Sequence, residues 1–284
     1  MTLPQEGVAS GSTRARLREM PIAALREETT GNIRTFPGNA RYRWDMLELF
    51  CLDGQWSRAL IQLQAWATLW VSPSSTVTAQ LYRTLIATEL LRAQVLTGAK
   101  SPVLIGGQPA WVMPLVEANR LLNAGDHRGA DAARSKAFKQ VRPTSGESAA
   151  TGRFAWLVDT DTRLGPVCEF VVAGCYRWIA FEEIRSINIL APTHLLDALW
   201  CPARILTGDG TVLSGYLPSR YPGSEAGSDD VRLGRITTWT DVGETSVIGL
   251  GQKTWATDFG EYGVLHLGEC RFAQGIQESE HEKS

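Results

Sequence analysis

Two carboxylates stand two positions apart, Asp159 and Asp161, at the end of an apolar run that begins at Phe154. Such a pair in a loop can chelate a hard cation, as a nucleotide-sugar transferase would need. The same spacing suits a turn in which the side chains accept backbone N–H groups, with Arg163 balancing the charge. The turn is the preferred reading. A metal-assisted transferase or hydrolase centred on Asp159, Asp161 and His266 is the enzymatic alternative. Gly249-Leu250-Gly251-Gln252-Lys253-Thr254 approaches a phosphate loop and misses it. In that loop Gly directly precedes Lys, so that amides and ammonium converge on one phosphate. Here Gln252 intervenes and Ser246 takes the place of the first Gly, so a glycine turn entering a strand is expected. Ser224, His266 and an acid could compose a triad on paper, but no G-x-S-x-G elbow occurs. The other histidines, His127, His194 and His281, are scattered and form no H-E-x-x-H. The sequence therefore gives no ligand set for a catalytic zinc.

The most distinctive loop is Arg220-Tyr221-Pro222-Gly223-Ser224-Glu225. Pro-Gly sets a tight turn, and Arg220 and Glu225 are placed to close it by a charge-assisted bond. An exposed Arg-Tyr pair would be an interface anchor. A self-contained structural loop is the preferred reading.

The elements that carry these residues follow from periodicity. Residues 13–141 read as helical and 1–12 as a loose tail. Pro21 divides a first helical stretch, and Pro37-Gly38-Asn39 marks a new start. Apolar stripes over residues 39–52 and 55–71 flank Asp53-Gly54 and give a helical hairpin. Pro73 breaks the pattern, with Ser74 or Ser75 as the cap of a third helix to about Leu96. After a Gly/Pro-rich loop, residues 111–122 and 127–138 form a second hairpin about Gly125. In both hairpins a Gly ends one helix and an Ala follows five residues later, Ala59 and Ala130. The glycines lie about twice the ~34-residue tetratricopeptide period apart. Such hairpins commonly build a concave surface for peptides or helices; a plain bundle without a groove is the equal alternative.

Residues 142–152 read as a linker by composition. Beyond them helical periodicity gives way to short aromatic and β-branched runs, so 153–273 is expected to be α+β with a mostly antiparallel sheet. Strands are expected at Phe154–Val158, Pro166–Val172, Tyr176–Phe181, Ile184–Leu190, Ala203–Leu206, Val212–Leu217, Ile236–Thr240, Lys253–Thr257 and Val264–Phe272, with short helices at Pro192–Leu199 and Asp229–Leu233. Residues 274–284 read as a polar tail.

Composition bounds the function. The 284 residues are 44% hydrophobic and 20% charged, with formal net charge −2. That balance is globular, and nothing in it selects nucleic acid or an acidic membrane as partner. Ten tryptophans spread along the chain read as core anchors. Five cysteines with no C-x-x-C read as buried free thiols in a reducing compartment. No apolar signal segment opens the chain and no apolar run is long enough for a membrane span, so a cytoplasmic location without membrane insertion is expected.

Several motifs in order resemble one family. Residues 43–60 (RWDMLELFCLDGQWSRAL) look like the N-terminal signature of the ImpE family, also called TagJ or SciE. Residues 154–166 (FAWLVDTDTRLGP) are similar to its F-A-W-[ILV]-x-D-x-D-x-R-[IL]-G-P segment, and Arg220 to Glu225 to its R-Y-x-G-[ST]-E loop. Residues 249–253 and 258–262 resemble its closing G-x-G-Q-[KR] and D-x-x-[ED]-Y elements. The resemblance spans about residues 38–272 and leaves 1–37 outside its motifs. It implies a cytoplasmic, non-catalytic accessory protein of the bacterial type VI secretion system, with no cofactor. It further implies binding to the small sheath subunit TssB through that subunit's N-terminal helix, and a link, direct or indirect, to the ATPase ClpV. Asp159, Asp161, Arg163, Arg220, Tyr221, Glu225 and Tyr262 are the positions to inspect as interface or structural loop.

Overall fold

Proline and glycine set the helix ends much as the sequence suggests. The computed structural model describes residues 11–273. The tails expected at 1–12 and 274–284 lie outside it, apart from Gly11 and Ser12, where α1 (Gly11–Arg16) starts. Helices α2 (Ile22–Thr35), α3 (Ala40–Leu52), α4 (Trp56–Leu69), α5 (Pro73–Leu96), α6 (Val112–Asn123) and α7 (His127–Phe138) follow. Pro73 is the first residue of α5 rather than a break before it, because a missing N–H costs nothing there. The cap is Ser72, not Ser74 or Ser75 as its neighbours suggest. Its Oγ accepts the Ser75 N–H while Ser75 Oγ accepts the Ser72 N–H, both at 3.0 Å.

The two hairpin turns close alike. Gly54 and Gly125 have φ of 65° and 80°, the left-handed region that glycine enters without a Cβ clash. The Gln55 N–H donates to Phe50 O and the Asp126 N–H to Leu121 O, satisfying carbonyls left over at each helix end. Ala59 and Ala130 are fully buried where the paired helices approach. Gly54 carries a second constraint. A Cβ there would lie 2.8 Å from Cγ of Glu225. Gly54→Leu is expected to lose about 1–3 kcal/mol. Combining it with Glu225→Ala should recover part of that loss, by the logic of coupled neighbours. Urea denaturation of the two single variants and the double variant tests this, and strictly additive losses would sink the contact.

After residue 140 the chain is mostly strand. A nine-stranded sheet runs β1-β6-β5-β9-β8-β7-β14-β2-β3. Its members are β1 (Leu104–Ile105), β2 (Gly146–Ser148), β3 (Gly152–Phe154), β5 (Val167–Val172), β6 (Cys175–Ala180), β7 (Ile184–Ile189), β8 (Trp200–Thr207), β9 (Val212–Pro218) and β14 (Glu269–Phe272). Every pairing but β1–β6 is antiparallel. A hairpin of β10 (Thr237–Val242) and β11 (Ser246–Gly251), and a small sheet β13-β12-β4, complete it. In the latter, β4 is Leu157–Asp159, β12 Thr254–Thr257 and β13 Gly260–Gly263, while α8 (Asp229–Arg232) is the short helix expected there. The fold is α+β: helices first, a mostly antiparallel sheet after.

Four expectations change. Residues 142–152 are not an open linker, because β2 pairs with both β14 and β3. The single strand expected at Phe154–Val158 is divided at Ala155-Trp156, so that Phe154 joins the large sheet and Leu157 the small one. The strand expected at Val264–Phe272 begins as a 3-10 turn, Val264–His266, and becomes β14 only past Gly268, whose φ is 64°. Pro192–Leu199 shrinks to a 3-10 turn at Leu195–Ala198.

The core ignores the composition boundary. One continuous cluster joins Leu47, Leu63 and Leu85 of the helices to Val167, Trp178, Trp200 and Tyr221. A second lies inside the strand region around Phe170, Ile187, Ile205 and Trp255. Six tryptophans are buried, but Trp70 and Trp156 are exposed. Cys51, Cys168, Cys201 and Cys270 are buried free thiols, whereas Cys175 is exposed at the β5–β6 turn, against expectation. Among the described residues no helix is long and apolar enough to cross a membrane.

Candidate functional site

The Asp159–Gly165 loop lies where the helices, the β10–β11 hairpin and the strands meet. Its backbone is set by its own carboxylates. Asp159 Oδ1 accepts the Asp161 N–H and Asp161 Oδ1 accepts the Arg163 N–H, both at 3.0 Å. These are the successive side-chain turns expected of Asp-x-Asp. Arg163 turns back onto Asp161, with Nη2 at 2.5 Å from Oδ2 and Nε at 2.9 Å from Oδ1. Asp161 Oδ2 also accepts the Gly249 N–H at 3.0 Å. The second helical hairpin grips the loop's carbonyls. Asn119 of α6 donates to Arg163 O at 2.9 Å and Arg134 of α7 to Thr162 O at 3.2 Å.

Asp159 points the other way, into a buried ion network. Lys253 Nζ lies 2.7 Å from Asp159 Oδ2 and 2.7 Å from Glu169 Oε2. Arg92 of α5 clamps Glu169 through two bonds, at 2.7 and 2.8 Å. Tyr221 donates its hydroxyl to Asp159 Oδ1 at 2.7 Å, and Tyr176 donates to Glu169 Oε1 at 2.5 Å. All four charged side chains are at most 2% exposed. Two cations and two anions thus neutralise one another, which a buried charge requires. Burial pushes the Asp159 carboxyl up to about 6, although Lys253 opposes the shift. Burial also pushes Glu169 upward, but Arg92 and Lys253 overcome it and hold that carboxyl below its ordinary range.

The signs give a pH prediction. Asp159 binds its proton more tightly folded than unfolded, so its contribution to stability rises as pH falls from about 6 to the ordinary 3.8. Glu169 acts oppositely: its stabilisation is present above the ordinary 4.5 and is lost below it. Asp159→Asn should abolish the first change and leave the second. Denaturation midpoints between pH 4 and 7 measure it. An unchanged slope between pH 6 and 4 in the variant would contradict the assignment.

The loop at Arg220 to Glu225 is a joint between helices and strands. Arg220 and Tyr221 are 5% and 1% exposed, so they are not exposed interface anchors. Nor does Arg220 close the loop on Glu225. Its Nη1 donates to Leu52 O at the end of α3, at 3.0 Å, and to Arg232 O of α8 at 2.6 Å. Burial lowers its pKa, and the charges of Glu225 and Glu89 oppose that shift without overcoming it. Glu225 packs over Gly54, and Asp53 receives both Arg26 and Arg232. Ser224 belongs to no triad: it donates to Tyr221 O and accepts the Gly251 N–H at 2.7 Å, while His266 is exposed.

Gly249 and Gly251 lie within β11, not in a turn ahead of a strand. A Cβ on Gly249 would come within 2.6 Å of the Tyr221 ring, so glycine there permits a close approach, not a phosphate cradle. Tyr262 pairs across β12–β13 with Trp255, which in turn pairs with Asp159; it is half-buried and outside the ion network. Arg92, Glu169 and Lys253 are the members not singled out from sequence as site residues. One signal was available: Glu169 is the single acid in the run Val167–Val172, and a buried acid needs a cation.

This arrangement leaves no free carboxylate pair. Both oxygens of Asp159 and both of Asp161 are occupied by donors of this chain. Comparison with known proteins gives a consistent outcome. Over 237 residues, covering 83% of this chain and 82% of the relative, it is 37% identical to the type VI secretion system accessory component TagJ of Pseudomonas aeruginosa. The chain belongs to the ImpE/TagJ family. The ImpE protein model matches residues 151–271. That interval holds the ImpE/TagJ Asp-x-Asp loop, the Arg220–Glu225 joint and Lys253, but not the α3–α4 signature to which the joint binds. The crystal structure of protein VPA1032 from Vibrio parahaemolyticus superposes with a TM-score of 0.84 at 24% identity, over 93% of this chain and 98% of that one. It shares the fold of this ImpE/TagJ chain.

Proposed function

We propose that this protein is a non-catalytic accessory component of the type VI secretion system, acting in the cytoplasm as an adaptor. Its partner is the sheath subunit TssB, engaged through that subunit's N-terminal helix, and it links the sheath to the ATPase ClpV. Kinship with TagJ is the observation that carries the reading. The site geometry supports it, since the polar residues most like a catalytic set are already bonded within the fold. The likeness of the α3–α4 and α6–α7 turns to tetratricopeptide hairpins adds a precedent for holding a helical segment. A pull-down with sheath protein carrying or lacking the TssB N-terminal helix is the test. Capture that depends on the helix is expected; equal capture of both forms, or of neither, would refute the partner assignment.

The enzymatic alternative, a metal-assisted transferase or hydrolase at Asp159, Asp161 and His266, meets a specific obstacle. Lys253 Nζ occupies the place beside Asp159 that a cation would need. Thermal melts with magnesium or manganese and with chelator are expected to coincide. A cation-dependent rise in melting temperature that disappears in both Asp159→Asn and Asp161→Asn would reinstate the alternative.

A further inference from the structure

Strand β4 has a buried face and an open one. Leu157 and Asp159 are each 2% exposed. By the two-residue pleat, Trp156, Val158 and Thr160 turn to the opposite side. There they form one wall of an apolar groove of about 360 Å³, and Phe138 and Val141 at the end of α7 form the other. That volume lies within the usual range of ligand clefts, about 300–1,000 Å³. Trp156, at 37% exposed, is one of the two exposed tryptophans and sits at the groove's mouth. No catalytic or structural role above uses this face.

Two observations say what the groove would take. The open edge of β4 is blocked to an added strand, because the Asp159 N–H already donates to Gly165 O at 2.7 Å. An occupant must therefore lie on the face and fill it with side chains. Exposed charges flank the lining residues unevenly, in sequence on one side and by strand register on the other. Lys139 and Arg142, interleaved with Phe138 and Val141, are exposed and form no ion pair among the described residues. On the far side Glu261 is exposed and shares a face with Ala256 and Val158 by strand register.

We propose that this groove docks an apolar segment of a partner protein whose flank nearest Lys139 and Arg142 is acidic. This rests on the adaptor reading and names the surface and chemistry through which the adaptor would act. Apolar side chains fill the cleft against Trp156, and the basic rim sets orientation and rejects a basic flank.

The experiment uses the full chain labelled with 5-fluorotryptophan, with the Trp156 fluorine signal assigned from Trp156→Phe. The probes are two synthetic peptides with leucines at helical spacing, one with glutamates along a flank and one with lysines in their place. The acidic peptide should shift the Trp156 signal saturably and bind more tightly than the basic one by about tenfold or more. The double variant Lys139→Glu/Arg142→Glu, which alters exposed side chains only, should reverse that preference. No shift with either peptide, or a preference that survives charge reversal, overturns the groove. The sheath pull-down separates the two readings. Helix-dependent capture that is unchanged in Trp156→Ser and in the charge-reversed variant keeps the adaptor and removes the groove. Loss of capture in both variants supports it. If the wild-type chain captures no sheath, the adaptor reading falls and the peptide titration alone decides the groove.

Discussion

Lys253→Met is expected to lower stability by about 3–5 kcal/mol, the cost of leaving a buried charge without its partner. Here two partners are stranded, because Lys253 Nζ lies 2.7 Å from carboxylates of both Asp159 and Glu169. Arg92 still holds Glu169, so Asp159 takes most of the loss. The melting temperature should fall by about 2–4 °C for each kcal/mol. Adding Asp159→Asn to Lys253→Met should recover part of it, since the amide carries no charge to strand. Thermal and chemical denaturation of the single and double variants measures this. A Lys253→Met protein as stable as the wild type would mean that the network is open to water.

Arg220→Ala carries the second large effect. Its guanidinium serves Leu52 O and Arg232 O in a buried setting, and truncation leaves both carbonyls without that donor. A loss of about 1–3 kcal/mol for each is expected. Arg220→Lys should rescue little, because both bonds leave the terminal nitrogen Nη1 and a lysine side chain ends one bond short of it. The readout is the denaturation midpoint together with hydrogen exchange at the α3–α4 turn, where Leu52 lies. Full rescue by lysine would show that charge alone, not the reach of Nη1, makes the joint.

How much of this was legible follows from how far each signal reaches along the chain. The helix ends at Leu52, Leu96 and Asn123 were readable because Gly and Pro act within a few residues. So were the strands expected at Ala203–Leu206 and Val212–Leu217, which form the β8–β9 hairpin. Strand β2 was not, because Gly146–Ser148 has a loop's composition and becomes a strand only by pairing with Cys270 and Phe272. The break at Ala155-Trp156 was hidden for a similar reason: the chain changes sheets inside one apolar run. In the site, the turn chemistry of Asp159 and Asp161 was local and could be read. The partners were not, since Lys253 lies 94 residues from Asp159 and Arg92 77 from Glu169. At the Arg220 loop the sequence posed a surface anchor against a structural loop, with the structural loop preferred, but held no signal for the exposure of the pair. Arg and Tyr are common anchors on surfaces, and only the position of α3 shows that here they face inward.

The ion network also sets an order on synthesis. Its charges reside at positions 92, 159, 169 and 253 of a 284-residue chain. On the ribosome, where elongation runs at about 5–20 residues per second, some 80 residues separate the arrival of Glu169 from that of Lys253. During those seconds Asp159 has no ammonium beside it, and Arg220, which ties α3 to the strands, is itself a late arrival. The helices can form early from local periodicity, but the core they share with β5, β6 and β8 cannot close dry around an uncompensated carboxylate. Completion of the nascent fold therefore waits for the arrival of Lys253, and a ribosome stalled before β12 would release a chain with helices formed and its centre still wet.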